Sequence, residues 1–282
     1  MPPVVDLRDA DCFNQVADSL MNSGFAAVSH SPISLEQLED FYAAWDDFFV
    51  HGNPGDFTAD PATQAGYFSP EDAETARGAA AQDLKEYFQY WPWSPIPPAL
   101  RSQTEAYYEA VFHLAGRILK GLQANSPASL WQRLTMPLPD CLARSETMLR
   151  ILRYPPLCGN EPEGAIRAGA HEDINFITLL PVASTPGLEI RPGDEDWQAV
   201  DAPPGSIIIN IGDMLQELTN GELPSTPHRV INPTGENAKV ARITAPLFCH
   251  PYPEMVLSDR YTSASYLRER LQEINPANLQ PA

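Results

Sequence analysis

The chain has 282 residues, 43% of them hydrophobic and 9% aromatic, enough for a sizeable core in one compact unit with an N-terminal extension. Its formal net charge of −19, with 18 Lys and Arg against 37 Asp and Glu and no strongly basic cluster, repels phosphate backbones and excludes nucleic acid as a partner. No apolar stretch approaches the roughly 18 residues of a membrane span. Cys12, Cys141, Cys158 and Cys249 form no Cys-x-x-Cys pair, so a disulfide framework and a zinc knuckle are excluded, and reduced thiols in a cytoplasmic protein are expected. The acidity reads as serving solubility or as the mark of an acid-biased proteome, not as recognition of a cationic substrate.

In chain order, Pro3-Val4-Val5-Asp6-Leu7 reads as a strand with no signal-peptide pattern before it. A helix follows Ser34. Its apolar residues Leu35, Leu38, Phe41, Tyr42, Trp45, Phe48 and Phe49 keep the helical period, Ser34 with Gln37 makes a capping box, and Ile33 with Leu38 makes a hydrophobic staple. Gly66–Pro70 and Asp83–Phe88 lead to Trp91-Pro92-Trp93-Ser94-Pro95, and a second long helix is expected from about Ser102 to Leu122. The run from Ile174 to Leu180 is apolar on nearly both sides, as a buried strand should be. Ser206 to Asp213 reads as another buried strand, and Gly221 to Pro227 as a loop. His228 opens a strand that ends at the turn signal Asn232-Pro233-Thr234-Gly235, and Arg242 to Phe248 is its expected return. A short helix from Thr262, carrying Tyr266, Leu267 and Leu271, closes the chain near the cavity mouth. There are no internal repeats.

Chemistry concentrates in His171-Glu172-Asp173 and His228. Two imidazoles and one carboxylate occupy one face of an iron(II) ion and leave the other open for oxygen and a small ligand. If the strand extends back through His171, that residue and Asp173 share a face, because side chains i and i+2 point the same way. Glu172 then points opposite. The expected hairpin would bring Arg242 beside His228, with Arg242, Thr244, Pro246 and Phe248 in one phase. An arginine in that phase needs an anionic partner, and an arginine followed two residues on by a hydroxyl suits a carboxylate-bearing co-substrate. His30, His51, His113 and His250 read as ordinary hydrogen-bonded histidines.

At these residues the chain resembles the isopenicillin N synthase-like branch of the iron(II)/2-oxoglutarate-dependent dioxygenases. Arg153-Tyr154-Pro155-Pro156, Gly187-Leu188-Glu189-Ile190, Asn210-Ile211-Gly212-Asp213-Met214-Leu215-Gln216 and Leu247-Phe248-Cys249-His250-Pro251 stand in that family's order. The likeness runs from about Pro3 to Leu271. Thr244 replaces the usual serine, and Leu152 stands where many plant members have asparagine. The resemblance implies a mainly β protein with flanking helices. Its core would be a double-stranded β-helix, or jelly roll, over 144–252. An N-terminal α/β extension over 1–143 would brace the barrel, and a C-terminal helix would fall within 253–282.

It further implies iron(II) on His171, Asp173 and His228, and 2-oxoglutarate as co-substrate on Arg242, Thr244 and Tyr154. O2 would be the oxidant, and succinate and CO2 the co-products. Phe248 and Tyr67 are the implied substrate contacts. The expected reaction is hydroxylation of a small molecule, with desaturation or cyclisation open to substrate geometry; Asp173 argues against halogenation, which needs a smaller residue there. Three other readings compete: an isopenicillin N synthase-type oxidase that uses no 2-oxoglutarate, a non-catalytic jelly-roll binding protein, and a zinc hydrolase. The retained triad opposes the binding protein, and the Arg242–Thr244 pair opposes the hydrolase. Oligomeric state is not encoded in any motif.

Overall fold

The computed structural model describes residues 3–73 and 81–274. The N-terminal part contains β1 (Val4–Asp6), α1 (Cys12–Ser23), β2 (Phe25–Ser29), α2 (Leu35–His51), β3 (Gly66–Phe68), β4 (Glu86–Tyr90) and α3 (Arg101–Ala124). Then come β5 (Met148–Tyr154), β6 (Ala168–His171), β7 (Ile177–Pro181), β8 (Leu188–Ile190), β9 (Gln198–Ala199) and β10 (Ile207–Ile211). The chain ends with α4 (Asp213–Leu218), β11 (His228–Val230), β12 (Arg242–Thr244), β13 (Leu247–Cys249) and α5 (Ser263–Ile274). The strands form a large sheet in the order β1-β2-β10-β7-β13-β5-β4-β3, with β12 also on β5, and a small sheet in the order β6-β11-β8-β9. The protein is therefore mainly β with flanking helices, as a jelly roll should be. Among the described residues no helix is long and apolar enough to cross a membrane.

Strand periodicity gives the large sheet two distinct faces. Ile207, Ile209 and Ile211 join Ile177, Leu179, Leu149, Ile151, Phe88 and Leu247 in the main core, which the helices cover. Alternate residues Ile208, Leu152, Tyr154, Tyr87 and Phe25 meet Ala168, Leu188, Ile190 and Val230 of the small sheet in a second core. The space between the sheets is where the chemistry lies. On the outer face, Trp45 of α2 packs 5.1 Å from Phe88 and donates its Nε1–H to Thr104 of α3 at 3.2 Å, tying both helices to the sheet. Ser34 and Gln37 form the expected capping box at the start of α2.

Two expectations of connectivity fail. His171 and Asp173 do not share a strand: β6 ends at His171, and Asp173 lies in the segment that crosses to β7 in the other sheet. Nor do His228 and Arg242 share a hairpin. β11 pairs with β6 and β8, whereas β12 pairs with β5. The turn at Asn232–Gly235 leads into a 3-10 helix, Gly235–Lys239, that carries the chain from one sheet to the other. The return strand itself keeps one register on β5 on both sides of Pro246, with Thr244 opposite Leu152 and Leu247 opposite Leu149. Pro246, which has no N–H to give, divides it into β12 and β13.

Gly24 makes the turn from α1 to β2 with φ 69°, and a Cβ there would come within 2.2 Å of the Pro224 carbonyl oxygen. Gly24→Ala should therefore cost at least about 1–2 kcal/mol, since the left-handed region alone carries that penalty for a side chain. Thermal unfolding followed by circular dichroism should show a lower midpoint, and an unchanged midpoint would mean that this turn relaxes freely.

Candidate active site

Facing strands of the small sheet bring the two histidines together. His171 ends β6 and His228 begins β11 as direct cross-strand partners, with ring centroids 4.3 Å apart. Each Nδ1 lies against the backbone carbonyl two residues earlier, Gly169 at 2.8 Å and Thr226 at 3.3 Å. Those contacts protonate Nδ1 and leave each Nε2 lone pair available. Both Nε2 atoms lie 3.7 Å from Asp173 Oδ1. The other carboxylate oxygen, Oδ2, accepts hydrogen bonds from Thr178 Oγ1 at 2.5 Å and Asn210 Nδ2 at 2.8 Å. Asn175 Nδ2 in turn donates to Thr178 Oγ1 at 2.8 Å, which directs the threonine proton toward Asp173.

The electrostatics suit a divalent cation. Burial, and then the neighbouring His171, push His228 down to about 4, so its imidazole is neutral at physiological pH. Burial works against ionisation of Asp173, but His228, His171, Thr178 and Asn210 together hold its carboxyl below the usual range. Two neutral imidazoles and one carboxylate, with ligand atoms all within 4.8 Å of one another, fit iron(II). His171 is 44% exposed at its side chain while His228 and Asp173 are buried, so the centre opens on the His171 side.

Arg242 is buried, and its phase on β12 matches Tyr154 on β5. Its guanidinium lies 5.2 Å from the Tyr154 ring centroid and its Nε donates to the Thr185 carbonyl at 3.1 Å. Nη1 has no partner, and among the described residues no carboxylate pairs with this side chain. Thr244, also buried, donates its hydroxyl to the Pro181 carbonyl at 3.3 Å. Tyr42 of α2 reaches the same carbonyl at 3.4 Å, a contact that helical periodicity presents only as core.

Phe248 follows on the same face of the strand, paired with Met148 and Thr178 and only partly buried. Tyr67 does not join it. Tyr67 pairs with Phe88 on the outer face, packs 6.1 Å from Phe49 and donates its hydroxyl to Glu86 at 2.7 Å. Its neighbour Phe68 is the residue in the cavity phase, stacked on Tyr87 at 4.6 Å. Glu172 is exposed and lies outside the triad. The other histidines have ordinary partners: His30 with Asp6, His51 with Asp47, His113 with Glu109, and His250 with the Phe248 carbonyl. Sequence reasoning passed over Thr178 and Asn210; the signal was a polar residue inside each of two otherwise apolar buried strands.

The sequence profile of the 2OG-Fe(II) oxygenase superfamily matches residues 145–251. An oxygenase crystal structure from Shewanella oneidensis is 44% identical, covers 96% of this chain and 97% of its own, and superposes with a TM-score of 0.86. The chain belongs to the 2OG-Fe(II) oxygenase superfamily. A gibberellin 2-beta-dioxygenase from Oryza sativa subsp. japonica is 30% identical over 276 residues, covering 83% of this chain and 70% of that protein. A full-length Neurospora crassa protein in complex with alpha-KG shares the fold, with a TM-score of 0.77 at 20% identity over 95% of each chain. The protein is accordingly an iron(II)- and 2-oxoglutarate-dependent oxygenase of the double-stranded β-helix fold that acts on a small molecule.

The hydrogen bonds on Asp173 Oδ2 aim Oδ1 at the two imidazoles, so Asn210→Ala and Thr178→Val should each weaken iron(II) binding by roughly 10–100-fold, the usual effect of removing a partner of a metal ligand. Anaerobic iron titration of the folded variants checks this. Affinity equal to the wild type would show that Asp173 needs no such support.

Proposed function

We propose that His171, Asp173 and His228 hold the iron. Arg242, Thr244 and Tyr154 hold the far carboxylate of 2-oxoglutarate, and Phe248, with Phe68, Tyr87 and the Arg150 guanidinium that lies 4.7 Å from the Tyr87 ring and 5.6 Å from that of Phe248, lines the space for an organic substrate. The reaction we assign is hydroxylation, with desaturation or cyclisation where substrate geometry directs it. The observation that carries this reading is Arg242: a buried guanidinium with an orphaned Nη1–H and, among the described residues, no carboxylate beside it, on the inner face of the sheet that also anchors Asp173. A buried unpaired charge is strongly unfavourable and calls for an anion.

Bound iron, 2-oxoglutarate and O2 together supply a two-electron oxidant and release succinate and CO2. The chain's own residues orient and exclude. The planar guanidinium of Arg242 suits a two-point grip on a carboxylate. The hydroxyl of Thr244 would turn from the Pro181 carbonyl to donate a further hydrogen bond, and the apolar side chains of Leu152, Ile208 and Ile190 would keep water from competing. The half-exposed His171 side leaves an approach for the substrate. We place the enzyme in the cytoplasm, a reading supported by four cysteines that are all free thiols.

Hydrogen bonds to charged groups contribute roughly 1.5–3 kcal/mol each. Arg242→Leu should thus weaken 2-oxoglutarate binding by at least about tenfold while leaving iron affinity nearly unchanged. Thr244→Ser should be mild and Thr244→Val clearly worse; equal effects would remove the hydroxyl from the site.

His228→Ala should abolish succinate formation. Adding the true substrate to the wild type should raise the succinate rate and bring succinate and oxidised product toward one-to-one. Product formed with no succinate would overturn the co-substrate assignment in favour of an oxidase that uses no keto acid.

A further inference from the structure

A second buried guanidinium lies beside Arg242, and no motif points to it. Arg167 stands immediately before β6 and has no exposed surface. Its Nη2 donates to the Val240 carbonyl at 3.1 Å, its Nη1 approaches Thr185 Oγ1 at 3.5 Å, and its Nε has no partner. Among the described residues no carboxylate pairs with it. The charge that acts on it most is a like one: burial, and then Arg242, push Arg167 down to about 10, which still leaves it protonated at neutral pH.

The two cations converge from opposite sheets. Arg167 comes from the segment that leads into the small sheet and Arg242 from the large sheet, both touch Thr185, and both lie within cation–π range of the single Tyr154 ring, at 6.0 Å and 5.2 Å. Each keeps one orphaned N–H. Two buried like charges are tolerated side by side only where an anion joins them, because neither desolvation nor mutual repulsion is otherwise compensated. The other buried cation, Lys85, shows the alternative, paired with Asp83, and the partly buried Arg153 is likewise matched with Asp46 and Glu86.

We propose that Arg167 is a second binding residue for the far carboxylate of the co-substrate, its Nε–H and the Nη1–H of Arg242 serving the two carboxylate oxygens. This rests on the co-substrate reading given above. The site is then a clamp closed from both sheets, so co-substrate binding joins them at the end occupied by Tyr154. Selectivity for a 2-oxo acid with a second carboxylate follows, since any shorter acid leaves both guanidiniums uncompensated.

The test compares 2-oxoglutarate with 2-oxobutyrate, which has the same keto-acid head and no far carboxylate, by anaerobic calorimetric titration of the iron(II)-loaded protein. Wild type should prefer 2-oxoglutarate. Arg167→Met should reduce that preference at least about tenfold while 2-oxobutyrate and iron bind as in wild type. A purely structural arginine would lower the unfolding temperature and leave the preference intact, which would overturn the proposal. Should Arg167→Met fail to fold, Arg167→Lys decides: it keeps the charge and loses the fork, so the preference should fall by a smaller factor, and an unchanged preference overturns the proposal. A wild type with no preference at all would sink the co-substrate reading and this inference with it, whereas a wild-type preference that every Arg167 variant retains sinks this inference alone.

Discussion

The structure turns on the carboxylate of Asp173. The chain leaves the small sheet at His171 and enters the large one at Ile177, and Asp173 sits in the crossing with one oxygen fixed by Thr178 and Asn210 of two adjacent strands. The backbone of the crossing is fixed as well. Asp213 N–H donates to the Asp173 carbonyl, Gly212 N–H to Phe176 and Met214 N–H to Asn175, so the start of α4 wraps the segment. Gly212 has to be glycine for this, since a Cβ would meet Asn175 Oδ1 at 2.2 Å. Burying a carboxylate is unfavourable unless its lone pairs are used. Here hydrogen bonds use one oxygen and the other is left to the imidazoles, so the same group that joins the sheets also completes the metal site.

Much of this was legible because burial has a period. Alternation along Ile207–Ile211 and the capping box at Ser34 read directly from residue order, and so did the in-phase placement of Arg242 with Thr244 and Phe248. What residue order does not carry is strand partnership. Periodicity says which face of a strand is buried and nothing about which sheet it joins, so two strands separated by a turn signal look like a hairpin even when a 3-10 helix takes the chain across the barrel. The triad comes together for a reason other than the strand phase first invoked: His171 and His228 meet as cross-strand partners, and Asp173 is drawn in by side-chain hydrogen bonds.

The misplaced tyrosine shows a second limit. In Gly66-Tyr67-Phe68 both faces carry an aromatic ring, and a strand of three residues has too few positions to reveal its phase. Pairing with β4 fixes it, setting Tyr67 against Phe88 in the helix-covered core and Phe68 against Tyr87 toward the small sheet. Thr178 and Asn210 were hidden for the opposite reason. Each is one polar residue in an apolar run, and its meaning lies in a partner five or thirty-seven residues away. An asparagine inside Ile-Ile-Ile-Asn-Ile was nonetheless a signal, because a buried amide demands a hydrogen-bond partner.

Charges of both signs are buried: Asp83, Glu86, Asp173 and Asp213 as well as Lys85, Arg167 and Arg242. Among the described residues the buried guanidiniums of Arg167 and Arg242 have no carboxylate partner, whereas buried Lys85 is paired with Asp83. Two unpaired buried guanidiniums carry an electrostatic cost, which a dianionic co-substrate would relieve on the proposed reading. Anything that binds the native state and not the unfolded chain stabilises it by an amount that grows with the ratio of ligand concentration to Kd, so the folded state and the loaded state favour each other. On the proposed reading, replacing both arginines with apolar residues would spare their desolvation and remove the reason for the co-substrate to enter. On the proposed reading, the two unpaired guanidiniums give a chain of net charge −19 one local site that attracts a small dianion which the protein as a whole repels.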